Sequence, residues 1–243
     1  MSDNTFTIDG KPVTFEPGDT IMEAATRAGI YIPHLCHDPE FTPQGNCKLC
    51  EVKVNGRNCS ACTFPAAEGQ TVLNNTRELS ETRRTITQLL FVEGNHLCPV
   101  CEKSGNCKLQ AVAYSLNMTD NRFPLFYPKR DVDASHPDIL LDRDRCIFCE
   151  LCVRAGREVD GKDVFAISGR GMNNHLIVNS PTGLLKDSDL EVTDRAASVC
   201  PVGAIIIKRR GFEVPIGQRI YDHHSIGEVE TKAHPDGEGG HHG

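Results

Sequence analysis

The sequence predicts an α+β fold built from three successive modules, and three observations predict it. Twelve cysteines fall in three clumps, at residues 36–62, 98–107 and 146–200, so one kind of chemistry recurs along the chain. The N-terminal stretch alternates apolar and polar residues on either side of a turn, as paired strands do. The stretch before the second clump instead carries apolar residues at helical spacing. The 243 residues divide accordingly into a strand-rich module over 1–78, a helical His/Cys segment over 79–119, a connector over 120–138, a second small α+β module over 139–226 and a tail over 227–243.

In chain order, Phe6 and Ile8 precede the turn Asp9-Gly10, and Val13 and Phe15 follow it, which reads as a short hairpin. Thr20 and Glu23 have capping-box spacing and open a helix whose apolar face is Ile21, Ala24, Ala25 and Ala28, with Gly29 as its stop. Pro33 holds the loop YIPHLC extended. Val52 and Val54 mark a strand that Gly56 turns. Ile86, Leu89 and Leu90 mark a helix over 79–92, ended by Gly94, and a further helix is expected over 108–116. The Pro-, Asp- and aromatic-rich connector reads as irregular. Beyond it the pattern suggests a strand from 139, a helix from about Val153, a strand near Val164–Ser168, a variable stretch over 170–190 and a helix over Thr193–Val199. From Gly227 the chain is rich in Gly, Asp, Glu and His and reads as a disordered, solvated tail, including its final HHG.

Composition excludes several classes. A net charge of −7 argues against nucleic acid as a main partner. The longest apolar runs are four or five residues, against the roughly 20 a membrane span needs. The opening MSDNTFTIDG lacks the basic-then-apolar pattern of a secretory signal. Close cysteine spacing without such a signal favours metal ligation in a reducing, cytoplasmic setting over a disulfide scaffold. No G-x-G-x-x-G opens a helix and no Walker loop is present, so neither a dinucleotide site nor any catalytic site of the chain's own is evident.

The first constellation, Cys36, Cys47, Cys50 and Cys62, reads C-x10-C-x2-C-x11-C. Three loop cysteines with a distant fourth suit a 2Fe–2S cluster, although the loop spacing differs from the plant type. Gly45 and Asn46 let the loop curl so that backbone amides point at the sulfurs. A zinc ribbon also uses four cysteines but usually takes two C-x2-C pairs, and this stretch has one. Cys59 is left as a free thiol.

The second constellation, His96, Cys98, Cys101 and Cys107, reads H-x-C-x2-C-x5-C. Three cysteines cannot alone serve four irons, and His96 is the nearest candidate for the fourth place. An imidazole in place of a thiolate raises the reduction potential, as in Rieske centres. The third constellation begins C-x2-C-x2-C at Cys146, Cys149 and Cys152, the opening of a bacterial ferredoxin motif. The x3-C-P continuation is missing, and the Cys-Pro pair comes later as Cys200-Pro201, so Cys200 completes one 4Fe–4S site. Arg143, Arg145, Arg154 and Arg157 flank it, either offsetting cluster charge or as a solvated face, and Lys208-Arg209-Arg210 reads the same way. Three clusters without a substrate site describe an electron carrier between partners, whereas a zinc scaffold is the non-redox alternative.

The order of the segments YIPHLC, EGNHLCPVCEKSGNCKLQAVAY, RFPLFYP, LDRDRCIFCELCV and CPVGAI followed by PIG extends the reading. It resembles the diaphorase small subunit of NAD-reducing NiFe hydrogenase, the HoxU type, and the start of the large iron–sulfur subunit of respiratory complex I. In complex I the His precedes the first cysteine by three intervening residues, a place that Gly94 holds here. The shortness of the chain also fits the hydrogenase subunit, because the complex I and formate dehydrogenase subunits continue into a large further domain. The resemblance implies a β-grasp, ferredoxin-like N-terminal domain and a bacterial-ferredoxin-like C-terminal one. It implies electron transfer through one 2Fe–2S and two 4Fe–4S clusters between a flavin subunit that binds FMN and NAD and a hydrogenase module of small and large subunits carrying nickel and iron. Bifurcation with ferredoxin is compatible with it. The alternative it leaves is the equivalent subunit of an NAD-linked formate dehydrogenase or complex I-like oxidoreductase.

Overall fold

The computed structural model describes residues 4–126 and 129–232, so the end of the RFPLFYP segment and the final HHG lie outside the described residues. The N-terminal module is a five-stranded sheet in the order β2-β1-β5-β3-β4. Strands β1 (Thr5–Ile8) and β2 (Lys11–Thr14) form the expected hairpin. Asp9 and Gly10 both take left-handed backbone, at φ 50° and 79°, which a tight two-residue hairpin turn requires. Strands β3 (Glu51–Val54) and β4 (Arg57–Ser60) repeat the device around Asn55-Gly56. Strand β5 (Thr71–Leu73) enters between the hairpins, parallel to β1 and antiparallel to β3. Helix α1 (Ile21–Arg27) starts in the predicted capping box, with the Glu23 amide donating to Thr20 Oγ1 and the Thr20 amide to Glu23 Oε2. It buries Ile21, Met22, Ala24 and Ala25 in the core formed by Phe6, Ile8, Val13, Val52 and Val72.

Helix α2 (Arg77–Glu93) and helix α3 (Lys108–Ser115) form the middle segment. Leu89 lies on the outer face of α2, 41% exposed, and the buried line runs through Leu79, Arg83 and Thr87. The C-terminal module has a three-stranded sheet, β10-β7-β6, from β6 (Val132–Asp133), β7 (Ile139–Asp142) and β10 (Ile205–Ile207), and a hairpin of β8 (Phe165–Ser168) with β9 (His175–Val178). Helices α4 (Leu151–Ala155) and α5 (Arg195–Ser198) pack together. The connector is therefore not wholly irregular, since it supplies β6, and the variable stretch supplies β9.

The disorder expected over 227–243 does not hold for residues 227–232, and residues 233–243 lie outside the described residues. Helix α6 (Ile226–Lys232) is folded, buries Ile226 and packs on α1 and α3. Its polar composition hides a docked face: Glu230 accepts from Lys108 Nζ at 3.1 Å, and Gly227 brings the backbone against Tyr31. The modules also share interior. One hydrophobic core runs from Leu35, Phe41 and Leu49 of the first through Leu109 and Val112 of the middle segment to Leu141 and Leu151 of the last. No helix among the described residues is long and apolar enough to cross a membrane.

Candidate metal centres

The structure brings the twelve candidate positions near one another in three groups of four. In the first group Cys36, Cys50 and Cys62 are buried and Cys47 is partly so. The sulfurs come as two pairs, Cys36 hydrogen-bonded to Cys47, and Cys50 Sγ 3.4 Å from Cys62 Sγ. Two thiol pairs facing one loop suit two irons with two thiolates each. Lys48 and Gly45 take left-handed backbone, at φ 56° and 67°, and so turn the loop back on itself. Gly45 also lies close against Ser60 and Thr63. Backbone amides of Leu35 and Leu49 reach Cys47, that of Gly45 reaches Cys62, and that of Cys47 lies 3.4 Å from Cys36 Sγ. The hydrogen bond from Cys36 holds the Cys47 thiol down to about 5 against the effect of its burial. Cys59 stands outside this group, on β4 opposite Val52.

In the second group His96, Cys98, Cys101 and Cys107 line one small cavity with Phe91 and Arg145. Cys107 precedes α3, and the amides of Leu109 and Gln110 in its first turn reach the sulfur, although burial still pushes the thiol up to about 12. His96 is placed as a ligand would be. One side of the ring bonds to the Leu90 backbone, which raises its basicity, while Nε2 is buried without a partner. Burial, then the charge of Arg145, lowers the ring pKa to about 4, leaving neutral imidazole at neutral pH. A metal-bound histidine characteristically fixes its other nitrogen on a carbonyl or carboxylate. Gly94 explains the unusual position in sequence. A Cβ on Gly94 would lie 2.6 Å from His96 Nε2, so the His96 ring fills the room a side chain at 94 would take.

The third group, Cys146, Cys149, Cys152 and Cys200, lines a second small cavity with Phe148 and Pro201. Phe148 and Glu150 are left-handed at φ 53° and 58°. Alternating handedness makes successive amides converge into a concavity for negative charge, as at many Fe–S sites. The amides of Phe148, Leu151 and Val153 accordingly reach Cys146, Cys149 and Cys152. Burial pushes all three thiols upward, Cys146 to about 12. Ligation needs thiolates, so loading any of these sites releases protons.

Several residues at the junctions were not singled out by spacing. Arg83 on α2 donates to the carbonyls of Leu49, Glu51 and Asn74, clamping both sides of Cys50. Its signal was present, a charged residue on the buried line between Leu79 and Thr87. Lys108 Nζ lies 2.9 Å from His34 Nε2, joining the first and second groups. Gly203 sits against Cys101 Sγ, and the Lys108 amide donates to Pro201 O at 2.8 Å, joining the second and third. Of the flanking arginines, Arg157 pairs with Asp163 on the surface, Arg143 donates to Leu176 O and Asp131 O, and Arg145 reaches Cys101. Arg154 is buried between the first and third groups.

Three family models match in the same order. They are a 2Fe–2S iron–sulfur cluster binding domain over residues 3–77, the NADH-ubiquinone oxidoreductase-G iron–sulfur binding region over 83–122, and a 4Fe–4S single cluster domain over 139–207. The chain is 43% identical to the NAD-reducing hydrogenase HoxS subunit gamma of Cupriavidus necator, over 90% of this chain and 94% of that protein. It is 30% identical to the NADH-ubiquinone oxidoreductase 78 kDa subunit of Candida albicans, over 85% of this chain but only 29% of that much longer protein. A chain in the crystal structure of NAD+-reducing NiFe-hydrogenase in the H2-reduced state superposes with a TM-score of 0.90 at 49% identity, covering 95% of this chain and 99% of that one.

Proposed function

This chain belongs to the family of the gamma subunit of NAD-reducing hydrogenase, and from that premise we propose that it is the iron–sulfur electron-transfer subunit of such a complex. Cys36, Cys47, Cys50 and Cys62 would hold a 2Fe–2S cluster. His96, Cys98, Cys101 and Cys107 would hold one 4Fe–4S cluster, and Cys146, Cys149, Cys152 and Cys200 another. Bound there, the clusters supply one-electron carriers. The observation that carries this reading is that three such groups, each met by backbone amides or a poised imidazole, all reach one shared core.

The chain's own contribution is positioning and electrostatics. Amides aimed at sulfur favour the reduced, more negative form, and burial keeps water from the sulfurs. The neutral His96 ring brings one fewer negative charge than a thiolate, which favours a higher potential at the second centre. Electrons would enter and leave through partners, a subunit binding FMN and NAD on one side and the small and large hydrogenase subunits on the other. We place the complex in the cytoplasm, where reducing conditions keep twelve cysteines available.

Metal and acid-labile sulfide analysis of the complex, purified anaerobically through this chain, tests the proposal. About ten irons for this subunit together with nickel in the complex are expected. Iron without nickel would move the chain to another dehydrogenase, and zinc without sulfide would overturn the redox role.

A further inference from the structure

Arg154 is 3% exposed and sits on α4, two residues after Cys152. Its Nη1 donates to Thr42 O at 2.9 Å, and its Nη2 donates to Cys36 O at 2.5 Å and to Cys149 O at 3.3 Å. The guanidinium carbon lies 5.9 Å from the centroid of the Phe41 ring. Its Nε is buried without a hydrogen-bond partner. Every acceptor is a neutral carbonyl, and among the described residues no carboxylate forms an ion pair with it. Arg145 is the contrast. It also reaches a cysteine of a metal centre, with Nη1 3.7 Å from Cys101 Sγ, but Glu102 and Asp142 neutralise it at 2.9 and 2.8 Å.

A guanidinium does not shed its proton in a protein, so burial cannot neutralise Arg154 as it could a lysine. A buried cation without a counter-charge is strongly unfavourable. The two cysteines whose carbonyls it holds belong to different groups, Cys36 to the first and Cys149 to the third. Each group, loaded, concentrates thiolate charge at that junction.

We propose that Arg154 is the shared counter-cation of the first and third centres. It is a positioning residue that favours the reduced, more negative form of both and holds their two loops together. This rests on the cluster assignments above. Arg154 supplies a cation at their junction that no carboxylate among the described residues pairs, while the second centre faces an arginine compensated by two carboxylates.

The test is a redox titration followed by electron paramagnetic resonance on the complete complex carrying Arg154→Gln or Arg154→Lys. In Arg154→Gln the midpoints of the 2Fe–2S centre and of the third centre should both fall. The reduced-to-oxidised ratio at the wild-type midpoint should drop about tenfold or more, which is about 59 mV per factor of ten for one electron. The second centre should move less, by under about threefold, since a compensated cation faces it. Arg154→Lys keeps the charge and should hold both midpoints within about threefold. Unchanged midpoints in a fully loaded Arg154→Gln complex, movement of one centre alone, or equal movement in both variants would overturn the proposal. If Arg154→Gln loads no clusters, Arg154→Lys decides. Wild-type midpoints there support the shared charge, whereas shifted midpoints or failure to load assign Arg154 to folding alone. Failure of the underlying assignment shows separately, as an unchanged 2Fe–2S signal in Cys36→Ala in an otherwise wild-type chain.

Discussion

The first and second centres are built in opposite ways. The first lies inside its own module: its cysteines flank β3 and β4, its amides come from the same loop, and three of its four thiols are buried. Arg83 and Arg154 reach in from later in the chain to hold carbonyls beside its cysteines. The second has no sheet of its own. All three of its cysteines are partly exposed, and the last module closes one side of its cavity with Arg145 and Gly203. Asn95 bonds to Asp144, Arg145 lies over Cys101, and Gly203 leaves just enough room for the Cys101 sulfur. The difference teaches that damage in the last module should travel to the second centre through packed walls, and to the first chiefly through the carbonyls that Arg154 holds.

The largest effect should follow Cys200→Ala. It removes a proposed ligand of the third centre, so one 4Fe–4S signal should vanish while the 2Fe–2S signal persists, as read by electron paramagnetic resonance of the reduced complex. Loss of the 2Fe–2S signal instead would show that the ligand sets are wrongly drawn. Gly203→Ala probes the same boundary without touching a ligand. The added Cβ would lie 2.8 Å from Cys101 Sγ and 3.4 Å from Arg145 Nη1, so either the sulfur or the loop must shift. Overpacking of this kind typically costs about 1–3 kcal/mol. Iron content should fall by up to about four atoms per chain, from the second centre, with the 2Fe–2S signal intact. A full iron complement would mean that the loop yields and the two modules are less tightly coupled than the packing indicates.

The parts of this arrangement that could be read from sequence are those whose signals are local. Asp9-Gly10 and the Thr20/Glu23 pair carry their own geometry, and C-x2-C-x2-C dictates a loop that wraps one object. The junctions have no such signal. Arg154 bonds to Cys36 across 118 residues, and nothing in LCVRAG or HLCHD announces it. Helical spacing of Ile86, Leu89 and Leu90 marks α2 but not its buried line, where Arg83 takes an interior place and donates to the carbonyls flanking Cys50. Helix α6 was missed because its sequence, IGEVETK, has too little apolar surface to fold alone. Tertiary contacts with Tyr31 and Lys108 override that weak preference.

His96 sharpens the comparison at the second centre itself. If its free Nε2 is the fourth ligand, His96→Ala should lower occupancy or change the potential of that centre alone. His96→Cys, which restores a thiolate, should shift the midpoint downward, because added negative charge disfavours reduction. Redox titration of both variants reads this directly. An unchanged second-centre signal in His96→Ala would leave the Leu90-anchored ring as packing beneath Phe91.

The smallest effect concerns α6, which packs on α1 and α3 and meets the His34 and Lys108 pair between the first and second centres. Glu230 meets Lys108 Nζ at 3.1 Å and His34 Nε2 at 3.4 Å. Burial raises its pKa, but the charge of Lys108 and the His34 contact outweigh this and bring it to about 2. A carboxyl depressed on folding adds stability above its unfolded pKa, near 4.5, and loses it as pH falls toward 2. From pH 5 to 8 this contribution should therefore hold α6 steady. Glu230→Gln imitates protonation at neutral pH, where the clusters survive. Amides of residues 226–232 should then exchange with solvent roughly five- to tenfold faster, about 1 kcal/mol of lost local protection. The first and second centres should keep their midpoints, since neither draws a ligand from α6. Unchanged exchange would mean that Ile226 and the Tyr31 contact alone hold the helix, with the ion pair incidental.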